Sequence, residues 1–87
     1  MATEEKVGTV TDYYAKVGVA AITLGDGALQ VGDRIRIRGH TTDVIQRVES
    51  LQVDHRGVQR AERGSEVALK VGERVRKHDE VLRLLGD

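Results

Sequence analysis

The sequence contains no cysteine, proline, tryptophan or phenylalanine, and Tyr13 and Tyr14 are its only aromatic residues. Without cysteine there is no disulfide and no thiolate metal site, a usage that suits a cytoplasmic protein. Without large aromatics, a core has to be assembled from valine, isoleucine, leucine and alanine. No apolar run approaches the roughly 18 residues that a membrane span requires. Met1-Ala2-Thr3-Glu4-Glu5 does not have the pattern of a signal peptide. Charge of one sign is also missing: 14 Lys and Arg balance 14 Asp and Glu. That balance argues against a protein that coats nucleic acid by bulk electrostatics.

What the sequence does contain is period-two hydrophobicity. Between Val48 and Val71, Leu51 and Val53 alternate with polar residues, and so do Val67, Leu69 and Val71. Alternation of this kind marks half-buried strands. A polar corner at Asp54–Gly57 and a break at Arg63-Gly64-Ser65 separate the two runs. The sharpest alternation is Arg34-Ile35-Arg36-Ile37-Arg38, with both isoleucines directed to one face and the three arginines to the other. Lys6–Tyr14 alternates as well. In Val17–Leu24, Val17 and Val19 fall in one phase and Ile22 and Leu24 in the other, a slip that predicts a β-bulge. Gly25-Asp26-Gly27 predicts a tight turn with positive φ. Val44–Asp54 is one long strand, or two with a kink near Glu49-Ser50. Asp79–Leu85 closes the chain as a strand, its length favouring that over a helix.

Short strands separated by turn signals predict an all-β fold, a small closed antiparallel β-barrel of six to seven strands. Closure would spare so short a chain its open edges. Residues 1–5 of this 87-residue chain are expected to be a flexible N-terminus and residues 6–87 a single domain.

Catalytic constellations are not evident. The phosphate-binding pattern G-x-x-x-x-G-K-S/T does not occur, so Asp54-His55-Arg56-Gly57, which fits D-x-x-G, lacks the loop it would serve. His40, His55 and His78 fall in three separate expected loops, and no metal or cofactor site is expected from them. Ser50 and Ser65 stand in ordinary strand and turn contexts, and the neighbours Asp79 and Glu80 point to opposite faces of a strand. The sequence therefore predicts a binding module and no enzyme. Arg34, Arg36 and Arg38 project at about 6.5–7 Å intervals from one face, a spacing close to that of phosphates, and guanidinium suits phosphate. The same pattern also fits a solvated strand face paired with the acids of its neighbours. The first 33 residues hold two lysines against five acids, and the remainder twelve Lys and Arg against nine acids. That asymmetry either marks a positive face or cancels on folding.

Three stretches together resemble domain II of the translational GTPases, the small barrel of the elongation factor Tu and initiation factor 2 group. They are V-E-S-L-Q-V-D-H with V-A-L-K-V downstream, Gly25–Ile37 as a G-x-L-x-x-G-D-x-I-x-I hairpin, and Gly8-x-Val10 with Asp79-x-Val81. Lys77-His78-Asp79 departs from the family, which usually has glycine before the aspartate. The resemblance implies a translation-factor barrel without its GTPase domain. It implies binding to tRNA, ribosomal RNA or a component of the translation machinery, and it adds His55 and Arg56 to the three arginines as candidate contacts. The alternative is a protein-interaction module or homo-oligomer that docks on an enzyme, with no nucleic acid involved.

Overall fold

The structure is a computed structural model, and it describes residues 3–85. It is all-β and antiparallel. Ten strands run in the order β1 (Glu4–Tyr14), β2 (Val19–Thr23), β3 (Leu29–Gln30), β4 (Arg34–Arg38), β5 (Asp43–Arg47), β6 (Leu51–Val53), β7 (Arg56–Val58), β8 (Arg60–Ala61), β9 (Glu66–Lys70) and β10 (Glu80–Leu84). Eight of them form one sheet, ordered β5-β4-β10-β1-β2-β9-β6-β7, and β3 pairs with β8 in a second small sheet. No helix among the described residues is long and apolar enough to cross a membrane.

The core is aliphatic, as the composition requires. Ile22, Leu24, Leu29, Ile35, Ile37, Leu51 and Leu69 are its largest buried side chains. Ile35 and Ile37 are fully buried from β4, whose arginines face outward. Tyr13 packs against this cluster, while Tyr14 is half exposed at the end of β1.

The long strand β1 holds two ladders together. Its first half pairs with β10 and its second half with β2, and Thr9 has a partner on both sides. The register slips once in each ladder, between Lys6 and Gly8 and between Val10 and Asp12. These irregularities bend the strand. They also change its phase, so that Val7, Gly8 and Val10 are all buried. At the first slip, the Val7 carbonyl accepts the amides of both Asp26 and Gly27. The bulges thus lie on β1 and not on the following strand. Ala20, Ile22 and Leu24 bury in one regular phase, because Val17 belongs to the preceding turn and is exposed. Positive φ falls at Gly18 in that turn, and at Gly32 and Gly64, not at Gly25 or Gly27. The first strand begins at Glu4, whose register partner is Leu84.

The expected barrel is not closed. β5 and β7 end the main sheet without pairing with each other. β6 joins β9 through a single register pair, Gln52 with Ala68. Across the remaining gap a side chain replaces a backbone ladder. Gln46 of β5 donates from Nε2 to the Lys70 carbonyl (2.8 Å) and accepts at Oε1 from the Gly72 amide (2.9 Å). Residues 48–50 belong to no strand, so β5 and β6 are two separate strands and not one that runs around the corner from β4 to β9.

Candidate functional site

The outer face of β4 and its neighbours carries most of the ionic contacts. Register places Arg36 opposite Ile45, Arg38 opposite Asp43 and, on the other side, Arg38 opposite Glu80. Arg36 grips Asp43 with two parallel hydrogen bonds, Nε to Oδ1 and Nη2 to Oδ2, both 2.8 Å. Its Nη1 donates to Glu4 at 3.1 Å. Arg38 lies 3.7 Å from Glu4 and 3.6 Å from Glu80, and Lys6 reaches Glu80 at 3.9 Å. Three cations and three carboxylates therefore neutralise one another across four strands. The hydrogen bonds from Arg36 hold the Asp43 carboxyl below the usual aspartate range, against the opposing effect of its own desolvation. The same contacts with Asp43 and Glu4 raise the affinity of Arg36 for its proton. Glu4 of β1 reaches across β10 to both Arg36 and Arg38, so the N-terminal strand supplies a carboxylate to the arginines of β4.

Arg34 behaves differently from the other two. Its register partner is Arg47 of β5, both side chains are exposed, and neither has an ion-pair partner among the described residues. His55 and Arg56 lie elsewhere. Asp54 and His55 are the two residues of the β6–β7 hairpin turn, with φ of 52° and 64°. Positive φ at both positions is the signature of a type I′ hairpin. Arg56 opens β7, paired with Val53. In the strand order β10, β1, β2 and β9 intervene between β4 and this hairpin. The structure therefore brings the three arginines onto one face and leaves His55 and Arg56 at another place, with no hydrogen bond or ion pair joining the two groups.

Sequence reasoning missed Gln46 and Arg47. Both line a groove of about 360 Å³ with Glu49, Lys70, Val71 and Gly72. A second depression of about 250 Å³ beside the β6–β7 turn is lined by Gln52, Asp54, His55, Glu66, Val67 and Ala68. Both follow the incompletely paired edge of β9. The only available signal was the alternation of Asp43-Val44-Ile45-Gln46-Arg47, which places Arg47 outward but cannot say what faces it.

Hydrolytic chemistry finds no assembled group among the described residues. No three His, Cys, Asp or Glu side chains there could hold a metal ion. Asp79 is buried, and its Oδ2 accepts the Arg76 amide at 2.8 Å, which closes the turn before β10. His78, with φ 76°, stands in that turn where glycine would be easier.

No family model matches the chain. Among curated proteins it is 38% identical over 85 residues to a collagenase of Porphyromonas gingivalis strain W83, an alignment covering 94% of this chain and 20% of that protein. It is 39% identical over 77 residues to an uncharacterized protease of Methanocaldococcus jannaschii, covering 87% of this chain and 19% of the relative. The chain thus spans about a fifth of the length of the curated relatives it matches. Among solved structures it superposes on the C-terminal domain of a Geobacillus thermoleovorans U32 peptidase with a TM-score of 0.84 at 18% identity, covering 91% of each chain. The selenomethionine form of that domain gives 0.82 at 20% identity, covering 91% of this chain and 98% of that one. At this identity the superposition establishes a shared fold.

These findings correct the resemblance to translation factors. The relatives are named as two collagenases and an uncharacterized protease, and the structural neighbours are a peptidase C-terminal domain, not domain II of an elongation or initiation factor. The reading as a translation-type module that binds tRNA, ribosomal RNA or the translation machinery falls with it. The stretches that suggested it encode turns and in-out alternation: Gly32-Asp33 leads into β4, and Asp54-His55 turns β6 into β7. Such features specify a kind of small β domain and carry no information about its ligand.

Proposed function

We propose that this chain is an auxiliary β domain of a U32-type peptidase, acting beside a catalytic portion that lies in the part of its relatives it does not span. The observation that carries this reading is the 38% identity over 85 residues to a collagenase of which the chain covers only 20%. The fold shared with a U32 peptidase C-terminal domain supports it. The side-chain chemistry points the same way. Among the described residues no hydrogen bond joins a serine to a histidine, and the carboxylates of the outer face pair with arginine and lysine. On this reading the polypeptide substrate suggested by the relatives' names is cleaved by the other portion.

The test is direct. The purified chain, incubated with collagen and with gelatin, is expected to release no fragments detectable by electrophoresis or mass spectrometry. Peptide-bond cleavage by the 87-residue chain alone, following its concentration through purification, would sink the proposal.

A further inference from the structure

The edge of β5 combines three features that no internal contact explains. The first is electrostatic. Arg34 and Arg47 lie directly opposite each other in register, on the same face, with no ion-pair carboxylate among the described residues. Like charges directly opposite across a ladder are unfavourable. Every other cation of this face has an acidic partner. Glu49 lines the adjoining groove with Arg47 and Lys70, but it makes no ion pair with either.

The second feature is apolar. Ile45 stands between Asp43 and Arg47 on the same face and is 57% exposed, nearly the most exposed large hydrophobic residue described. The third is the backbone. The Gly39 amide donates to the Thr42 carbonyl and the Val48 amide to the Asp33 carbonyl, each at 2.8 Å. With the β4–β5 register, these bonds place the main-chain groups of residues 42, 44, 46 and 48 toward β4. Antiparallel alternation then turns those of Asp43, Ile45 and Arg47 toward the free side. Since β5 ends the sheet, those groups pair with no strand among the described residues, and the segment 70–72 that Gln46 holds forms the far wall of the groove beside Arg47.

We propose that this edge docks an extended acidic peptide as an added strand. The main chain of Asp43, Ile45 and Arg47 supplies the ladder, Ile45 takes an apolar side chain, and Arg34 with Arg47 takes a carboxylate. The inference holds whether or not the chain serves a peptidase. A peptide fits better than a phosphate polyanion because only a peptide uses the isoleucine and the backbone edge.

The experiment uses two synthetic peptides, one repeating Val-Ser-Glu-Ser and the other Val-Ser-Lys-Ser, so that valine and the charged residue follow each other along one face of the strand. The glutamate peptide is expected to bind the intact chain and to protect the Ile45 and Arg47 amides from hydrogen exchange; the lysine peptide is expected not to bind. R47E is expected to weaken binding at least about tenfold. Because it puts opposite charges across the ladder, it should at the same time raise the melting temperature by about 2 °C. R47K should retain most of the binding. The proposal is overturned if R34A/R47A binds as tightly as the parent. Equal binding of both peptides, or binding of polyphosphate in preference to the glutamate peptide, also overturns it. So does sedimentation showing that β5 is already occupied by a second copy, with the Ile45 amide protected in the free chain.

Discussion

Single residues in this fold are constrained chiefly by backbone geometry. His55 occupies the second position of a type I′ turn with φ 64°, where a Cβ is unfavourable. His55→Gly is therefore expected to stabilise the domain by about 1 kcal/mol, measured as a rise in the urea midpoint with an unchanged slope. Gly39 shows the opposite case. A Cβ built there would collide with the Asp79 carboxylate, which is itself held by the Arg76 amide. Gly39→Ala should cost about 2 kcal/mol because buried Asp79 has no room to retreat. A fall in melting temperature with unchanged circular dichroism at low temperature is the expected result, and an unchanged melting temperature would show that the turn yields freely. Both effects follow from positions that the sequence marked only as polar turn residues.

Elements fail or succeed by how their edges are completed. β4 was legible almost residue by residue, because five residues of strict alternation admit one assignment of faces. β1 was legible as a strand but not as the bent element it is, since two bulges change its phase and only its partners β10 and β2 reveal them. The junction of β5 with the end of β9 was not legible at all. It rests on the Gln46 amide, which makes to Lys70 and Gly72 the donor and acceptor contacts of a strand's peptide group. Gln46→Leu should cost about 1 kcal/mol. It should also speed hydrogen exchange at the Gly72 amide more than at the Ile37 or Val81 amides. Equal acceleration everywhere would mean that the side chain supports the whole fold and not this seam.

At the scale of the molecule, the outer face is a charge network that folding assembles from distant segments. Glu4 and Arg36 are 32 residues apart in sequence and 3.1 Å apart in space. Asp43 has its pKa depressed in the folded state, so its contribution to stability is complete above the ordinary aspartate value of about 3.9. That contribution is lost as pH falls through the lower folded value. Urea denaturation is expected to show stability declining on acidification below that range, and D43N should flatten this part of the profile. A decline of the same size in D43N would assign it to other carboxylates. High salt should weaken the same network, which is largely solvent-accessible.

By itself the sequence determined an all-β chain, an aliphatic core led by Ile35 and Ile37, and an outward arginine row, because in-out alternation is a local property of a pleated strand. It also determined where most turns fall. Only tertiary structure decided that the sheet stays open, that Arg36 and Arg38 are neutralised, and that Arg34 is left facing Arg47. Those outcomes depend on which strands become neighbours and in what register, and pairing between segments far apart in the chain leaves no mark on the pattern within either one.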